Sequence, residues 1–486
     1  MVSTGPAPTD SRPLKLCPNC GRTTEAAENR CTHCLADVTQ ARILGTEDAE
    51  RHAEADRVDD ARREKRRRRL TQRELWMRRI LLGTVVALVG WWVYRNFIYE
   101  PPPIPAASDP SITQPAAGEA WAGVHGDPAG TRRTQAPSHI DGAEAWRFDL
   151  RAGGTPSTSV KTAMVSDGER LYVTTTDNRI VALDATTGTL AWERRLQNAP
   201  YSAPTVAGGR LYVALLQGAL EALDAETGES LWLTNATKGT FQSSPVVADG
   251  VAYVFGTQGA FGFDAVTGER IWALEHRSTW ATVTAIVEGD YLVGAGGRDA
   301  KVYHRERGVQ TYFLEFARSE PYAVLADRGE VFALYRGASS AFRTDEQRPW
   351  WEIWRAAWSQ AWIIGWAPAP TPPPTLWAVG ATPREVAGAA MGDDRVFVAG
   401  RDGELVAIAR ASGAEVWATR TLVSVNGPVL ASDGLFLTHR EALTLIDPAD
   451  GREIRRRMFE TPVLQSTVTA AGTYLALLDG TVVMLR

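Results

Sequence analysis

A repeat of 40 residues constrains this chain more than anything in its composition. The segments ALDATTGTLAW (182–192), ALDAETGESLW (222–232) and GFDAVTGERIW (262–272) follow one another at that spacing. Each is preceded by a matching apolar pair: GERLYVTTTDNRIVALD, GGRLYVALLQGALEALD and DGVAYVFGTQGAFGFD. A period of this size marks units that cannot bury their apolar faces alone and must stack on neighbours. Each unit reads as four short strands bounded by turns. Asp184, Asp224 and Asp264 open a tight turn in which Gly188, Gly228 and Gly268 supply a positive φ. Four residues further on, Trp192, Trp232 and Trp272 are placed to pack between neighbouring sheets.

The glycine-to-aromatic offset of four recurs at Gly142 and Trp146, Gly308 and Tyr312, and Gly413 and Trp417, and at Gly451 it yields Arg455. PWWEIW (349–354) supplies one more outer strand, so outer strands centre on residues 146, 192, 232, 272, 312, 351, 417 and 455. Eight blades follow. The chain ends in three strands, STVTAAG, TYLALLD and GTVVMLR, and EAWRFDL (144–150) provides the missing fourth, closing the ring. The expected fold is all-β, an eight-bladed β-propeller of four-stranded antiparallel sheets over residues 144–486.

This pattern resembles the pyrroloquinoline-quinone-type (PQQ-like) β-propeller repeats over roughly residues 121–486. WAGVHGDPAGTRRT, from Trp121, resembles the lead-in of that superfamily. The resemblance implies one of two branches: quinoprotein dehydrogenases, which hold the quinone beside a divalent cation, and non-enzymatic propellers such as the BamB-like outer-membrane assembly factors. All four cysteines lie between residues 17 and 34, so the propeller has no pair for the vicinal disulfide that quinoproteins often carry. Its acids sit mainly at turns, and His125, His139, His276, His304 and His439 form no recognisable ligand spacing. The expectation is a non-catalytic scaffold without PQQ that binds envelope proteins. A PQQ-dependent oxidoreductase and a transmembrane sensor are the alternatives.

Residues 17–34, CPNCGRTTEAAENRCTHC, place Cys17, Cys20, Cys31 and Cys34 in two Cys-x-x-Cys knuckles, a set suited to one tetrahedral Zn²⁺. The segment resembles the short bacterial zinc-ribbon family, with Leu35 where the second knuckle usually has glycine. Cys31 and Cys34 complete the set without His33, which is left facing solvent. The expected ribbon with its flanks is 1–45, and the metal replaces a core that so short a segment cannot build.

Residues 46–79 contain no Gly or Pro and read as a charged helix, acidic first, then with ten bases against two acids from 61 to 79. Residues 80–99 are long and apolar enough to cross a bilayer, with Arg95 near the end and Trp91, Trp92, Tyr94 and Tyr99 at the far side. The bases precede this span and residues 100–120 contain none, which puts the amino end in the cytoplasm and exports the propeller. Residues 100–143 are read as a Pro/Ala-rich linker and lead-in whose first part is an extended spacer. A formal net charge of −5 argues against nucleic acid as the partner.

An insertion near 355–385 breaks the repeat. Trp354, Trp358, Trp362 and Trp366 recur every four residues, one stripe if helical. Such a stripe packs on the propeller or, exposed, serves as a partner-binding anchor through Trp358, Trp362 and Trp366.

Overall fold

The computed structural model describes residues 12–94, 104–115, 118, 120–155, 157–235, 239–275, 285–296, 299–306, 309–315, 321–344, 361, 364–367, 375–380 and 383–486. The chain divides into two units, residues 1–100 and 101–486.

In the first unit, strands Leu14–Leu16 and Thr23–Glu25 pair as an antiparallel hairpin around the cysteine segment. One helix then runs from Thr46 to Val93, so the charged and apolar stretches form a single rod of 48 residues, about 72 Å at 1.5 Å per residue. Its apolar part lies bare within the unit: Leu81 and Leu82 are each 66% exposed. The hairpin docks on the acidic half of the rod. Asp56 Oδ2 accepts from the Thr23 N–H and hydroxyl at 2.8 Å each, and Arg22 pairs with Asp60 at 2.7 Å.

In the second unit, the strands described form eight four-stranded antiparallel sheets. In chain order the blades are 1 (Val165–Arg195), 2 (Thr205–Asn235), 3 (Val246–Glu275), 4 (Ala285–Glu315), 5 (Pro321–Val379), 6 (Val386–Arg420), 7 (Val429–Met458) and 8 (Val463–Leu485). Blade 8 takes its outer strand, Glu144–Asp149, from the start of the domain, with Phe148 opposite Val482. Ring closure by that strand is as the sequence implied. Middle strands are buried on both faces and read as continuous apolar runs, as in Ile180–Leu183, whereas outer strands alternate, as in Leu190–Arg195.

Apolar clusters fill the seams between blades, and five of the seams share one stitching device among the described residues. A tryptophan of one outer strand lies over the turn glycine of the next blade: Trp146 on Gly188, Trp192 on Gly228, Trp232 on Gly268, Trp377 on Gly413 and Trp417 on Gly451. The indole N–H then donates to the same turn, for instance Trp192 to Ala225 O at 3.0 Å and Trp146 to Ala185 O at 3.2 Å. A Cβ on Gly188 would come within 2.4 Å of the Trp146 ring, so glycine serves both the positive φ of 72° and the close approach. Arg455 has no indole to offer. It pairs with Asp141 at 3.1 Å, and Arg457 donates to Ile140 O at 3.1 Å, so the seam between blades 7 and 8 is partly polar.

Two expectations need correcting. The outer strand of blade 5 is Thr375–Val379, carrying Trp377, and not PWWEIW, which lies outside the described residues. The break in the repeat therefore falls inside that blade, between Arg343 and Thr375. Second, the stretch read as a spacer is docked over its described residues 104–115. Ile104 packs with the blade 3–4 cluster, Ser108 N donates to Asp264 at 2.6 Å, and Ile112 is buried against blades 2 and 3.

Candidate functional site

The four cysteines come together as the spacing implied. Their sulfurs all lie within 4.8 Å of one another, with Cys17 to Cys34 and Cys20 to Cys31 at 3.6 Å. A tetrahedral zinc with Zn–S bonds of about 2.3 Å sets sulfurs about 3.8 Å apart, so the cluster fits such an ion. Both knuckles turn alike: Gly21 N bonds Cys17 O at 3.0 Å and Leu35 N bonds Cys31 O at 3.0 Å. Leu35 adopts the glycine conformation, φ 62° against 69° at Gly21, and is 70% exposed. His33 lies outside the cluster, exposed and 3.1 Å from Arg22. Leu35→Gly is expected to stabilise the metal-bound segment by about 1 kcal/mol, because a left-handed Leu costs roughly that much. Metal competition against a chelator measures it, and weaker retention by the variant would contradict the assignment of strain.

On the propeller, the lead-in crosses one end of the axis and touches every blade. Gln114 N bonds Val247 O, Trp121 pairs with Ser166, and Ala122 O accepts from Val206 N. Pro128, Ala129 and Thr131 carbonyls accept from Val287, Ala326 and Met391, Thr134 N donates to Leu430 O while Leu430 N donates to Arg132 O, and Ser138 O accepts from Thr473. These partners belong to blades 3, 1, 2, 4, 5, 6, 7 and 8. The segment is a plug. WAGVHGDPAGTRRT thus has a structural role that its sequence pattern did not disclose.

Below the plug, His125, Gly130 and Arg132 meet Ala323–Leu325, Ala387–Ala389 and Gly427 around a cavity of about 70 Å³. Burial and nearby Arg132 hold His125 down at about 3, so it is neutral at pH 7. Its contribution to stability is complete above pH 6.5 and is lost as pH falls towards 3. A tricyclic quinone does not fit this space, since cofactor sites run to about 300–1,000 Å³. The loops that join blades 3 to 4 and 4 to 5, at the opposite end of the first strands, fall largely outside the described residues.

The turn acids cap turns. Asp184 accepts from Thr187 N at 2.7 Å and Asp224 from Thr227 N at 2.8 Å, and these N–H groups hold both carboxyls below their usual range. In the insertion, Trp366 is 85% exposed. Gly365, at φ 78°, turns the backbone just before it, and Trp366 N bonds Ala361 O at 2.7 Å, so the described residues 364–367 form a turn. Trp354, Trp358 and Trp362 lie outside the described residues. Trp377 was missed by sequence reasoning, although a signal existed: Trp192, Trp232 and Trp377 each stand 36 residues before the glycine they cover, Gly228, Gly268 and Gly413.

A closed ring of eight four-stranded blades, seamed by tryptophan on glycine, defines a PQQ-type β-propeller. The chain belongs to the family described as outer membrane protein assembly factor BamB, which matches residues 135–272, 210–308 and 352–486. No curated protein matches it. Among solved structures, BamB from Moraxella catarrhalis is 14% identical, with a TM-score of 0.54 over 71% of this chain and 97% of its own. A europium-containing methanol dehydrogenase is 12% identical, with a TM-score of 0.55 over 74% and 89%. The quinohemoprotein alcohol dehydrogenase of Comamonas testosteroni is 14% identical, with a TM-score of 0.55 over 75% and 80%. At such identities the likeness is one of fold.

Proposed function

We propose that this protein is a membrane-anchored, non-catalytic scaffold: a cytoplasmic zinc ribbon, one membrane-spanning helix, and an exported propeller that binds protein partners in the cell envelope. The observation that carries the scaffold reading is the docked lead-in, which between Gln114 and Ser138 hydrogen-bonds all eight blades. Membership of the BamB family supports a protein-binding role, and Trp366, 85% exposed, is the described residue best suited to a partner's apolar pocket. Cys17, Cys20, Cys31 and Cys34 are the zinc ligands in this reading. The anchor rests on the bare apolar window of the helix, and its orientation on Arg78, Arg79 and the bases before them.

A reporter active only outside the cytoplasm is expected to work when fused after Arg486 and to fail when fused ahead of Thr46. The reverse pattern would overturn the topology. The dehydrogenases among the structural neighbours favour a second reading, a quinone-dependent oxidoreductase. Full-length protein given PQQ and calcium is expected to bind no quinone and reduce no dye. Calcium-dependent dye reduction would replace the scaffold with an enzyme.

A further inference from the structure

The cysteine segment grips the long helix at more places than the chain between them requires. Arg22 and Thr23 come directly after the first knuckle, where Gly21 N donates to Cys17 O at 3.0 Å and Cys17 N to Arg22 O at 2.9 Å. The knuckle's own geometry therefore aims these two residues. Thr23 donates its N–H and its hydroxyl to one oxygen of Asp56, at 2.8 Å each, and the Arg22 guanidinium reaches Asp60 at 2.7 Å. Asp56 and Asp60 stand four apart, so both donors grip one helical face. A second attachment lies just before the helix, where Leu16 N donates to Arg42 O at 3.2 Å and Leu44 N to Leu14 O at 2.9 Å. The segment thus holds the rod at its start and again at Asp56, about 15 Å along its axis.

The gripped stretch is poorly equipped to stay helical alone. Its N-cap is Gly45, which supplies no side-chain hydrogen bond. Residues 47–60 carry seven acids against Arg51 and Arg57. Glu47 and Asp48 lie in the first turn, where the helix dipole favours negative charge, and Arg51 pairs with both. The acids further in lack that help. Glu50 stands four before Glu54 and Asp56 four before Asp60, and like charges at that spacing weaken a helix. Over residues 46–60 only Ala49, Ala53 and Asp56 are half-buried, at the i, i+4 and i+7 positions of the face that Arg22 and Thr23 grip. The rest is bare, and a helix end without tertiary packing frays.

We propose that the ribbon is a metal-dependent clamp on this helix: folded around zinc, it holds residues 46–60 helical through Arg22 and Thr23, and without the metal it releases them. The clamp rests on the zinc reading of Cys17, Cys20, Cys31 and Cys34. It goes beyond that reading by making occupancy of the cysteines a control on the rod that continues to Val93. Linkage makes the effect reciprocal, so whatever docking adds to helix order it also adds to metal retention.

The test uses the full-length protein in detergent and follows amide exchange over residues 46–60 beside the zinc content. Stripping zinc with a chelator is expected to speed exchange there about tenfold, the scale of one hydrogen bond to a charged group, and to leave residues 80–93 unchanged. Arg22→Gln combined with Thr23→Val is expected to do the same with zinc bound and the ribbon's amides still protected. By linkage the variant should also give up its zinc at about tenfold lower chelator concentration. These substitutions leave the helix and the four cysteines intact. Equal protection of residues 46–60 with and without zinc, or in variant and wild type at full zinc occupancy, would overturn the clamp and leave the zinc assignment standing. Absence of zinc from the purified protein would remove both. Should the variant lose its ribbon altogether, the chelator comparison on the wild type still decides.

Discussion

Deleting residues 144–149 is expected to abolish cooperative unfolding of the propeller, although they lie more than 300 positions from the strands they complete. The deleted strand pairs along its length with Thr481–Leu485 and carries Trp146, which is 8% exposed and seated on Gly188 of blade 1. Truncating a buried tryptophan alone costs about 3–5 kcal/mol. Losing the whole strand also uncovers the unpaired edge of the strand Thr481–Leu485 and opens the seam where Tyr474 and Met484 meet Leu171 and Val173. Calorimetry should show a broad, weak transition accompanied by aggregation. A truncated protein that melted like the full one would mean that the ring does not close through this strand.

The second large effect is expected at the cysteines. Replacing Cys17 and Cys34 together by Ser should take bound zinc from one per chain to none and unfold residues 14–44, leaving the propeller's melting unchanged. The reason is the size of the core: among the described residues its buried apolar cluster is Cys17, Cys31 and Val38, with Cys34, Ala36 and Ala41 partly buried beside it. So small a cluster cannot offset the ordering entropy of some thirty residues, whereas structural zinc contributes about 10–16 kcal/mol in comparable peptides. Metal analysis and amide exchange over the segment measure the two losses. Retention of protected amides in the metal-free variant would remove the metal from the folding of this segment.

The cysteine cluster was legible because knuckle spacing is local: each Cys-x-x-Cys turn fixes two sulfurs without help from the rest of the chain. Leu35 adds a detail that spacing did not carry, since the turn keeps its left-handed shape even where the side chain opposes it. The insertion misled because PWWEIW imitates an outer strand and stands close to where one is due. The covering rule was available 36 residues ahead of Gly413, but it becomes visible only once the indole is known to cross to the next blade. The docked spacer was misread for a related reason. Proline and alanine between 104 and 115 do set an extended chain, and an extended chain is the shape that can lie along strand ends such as Val247 and Asp249.

What the sequence determined by itself is everything written in short-range periodicity: four strands per unit, the Asp-to-Gly turns, the missing strand that closes the ring, the paired knuckles and the long helix. All but the closing strand, which follows from counting three strands at one end of the repeats and one at the other, rest on residues within about one repeat of each other, where backbone geometry and alternating burial leave few choices. What only the tertiary structure decided is which surfaces those units present to one another. The docked lead-in is held by hydrogen bonds to each of eight separate blades, and the Arg132 cavity is built from Gly130, Val324, Ala389 and Gly427, residues up to about 300 positions apart. No local pattern encodes such a site, because its geometry exists only after the ring has closed.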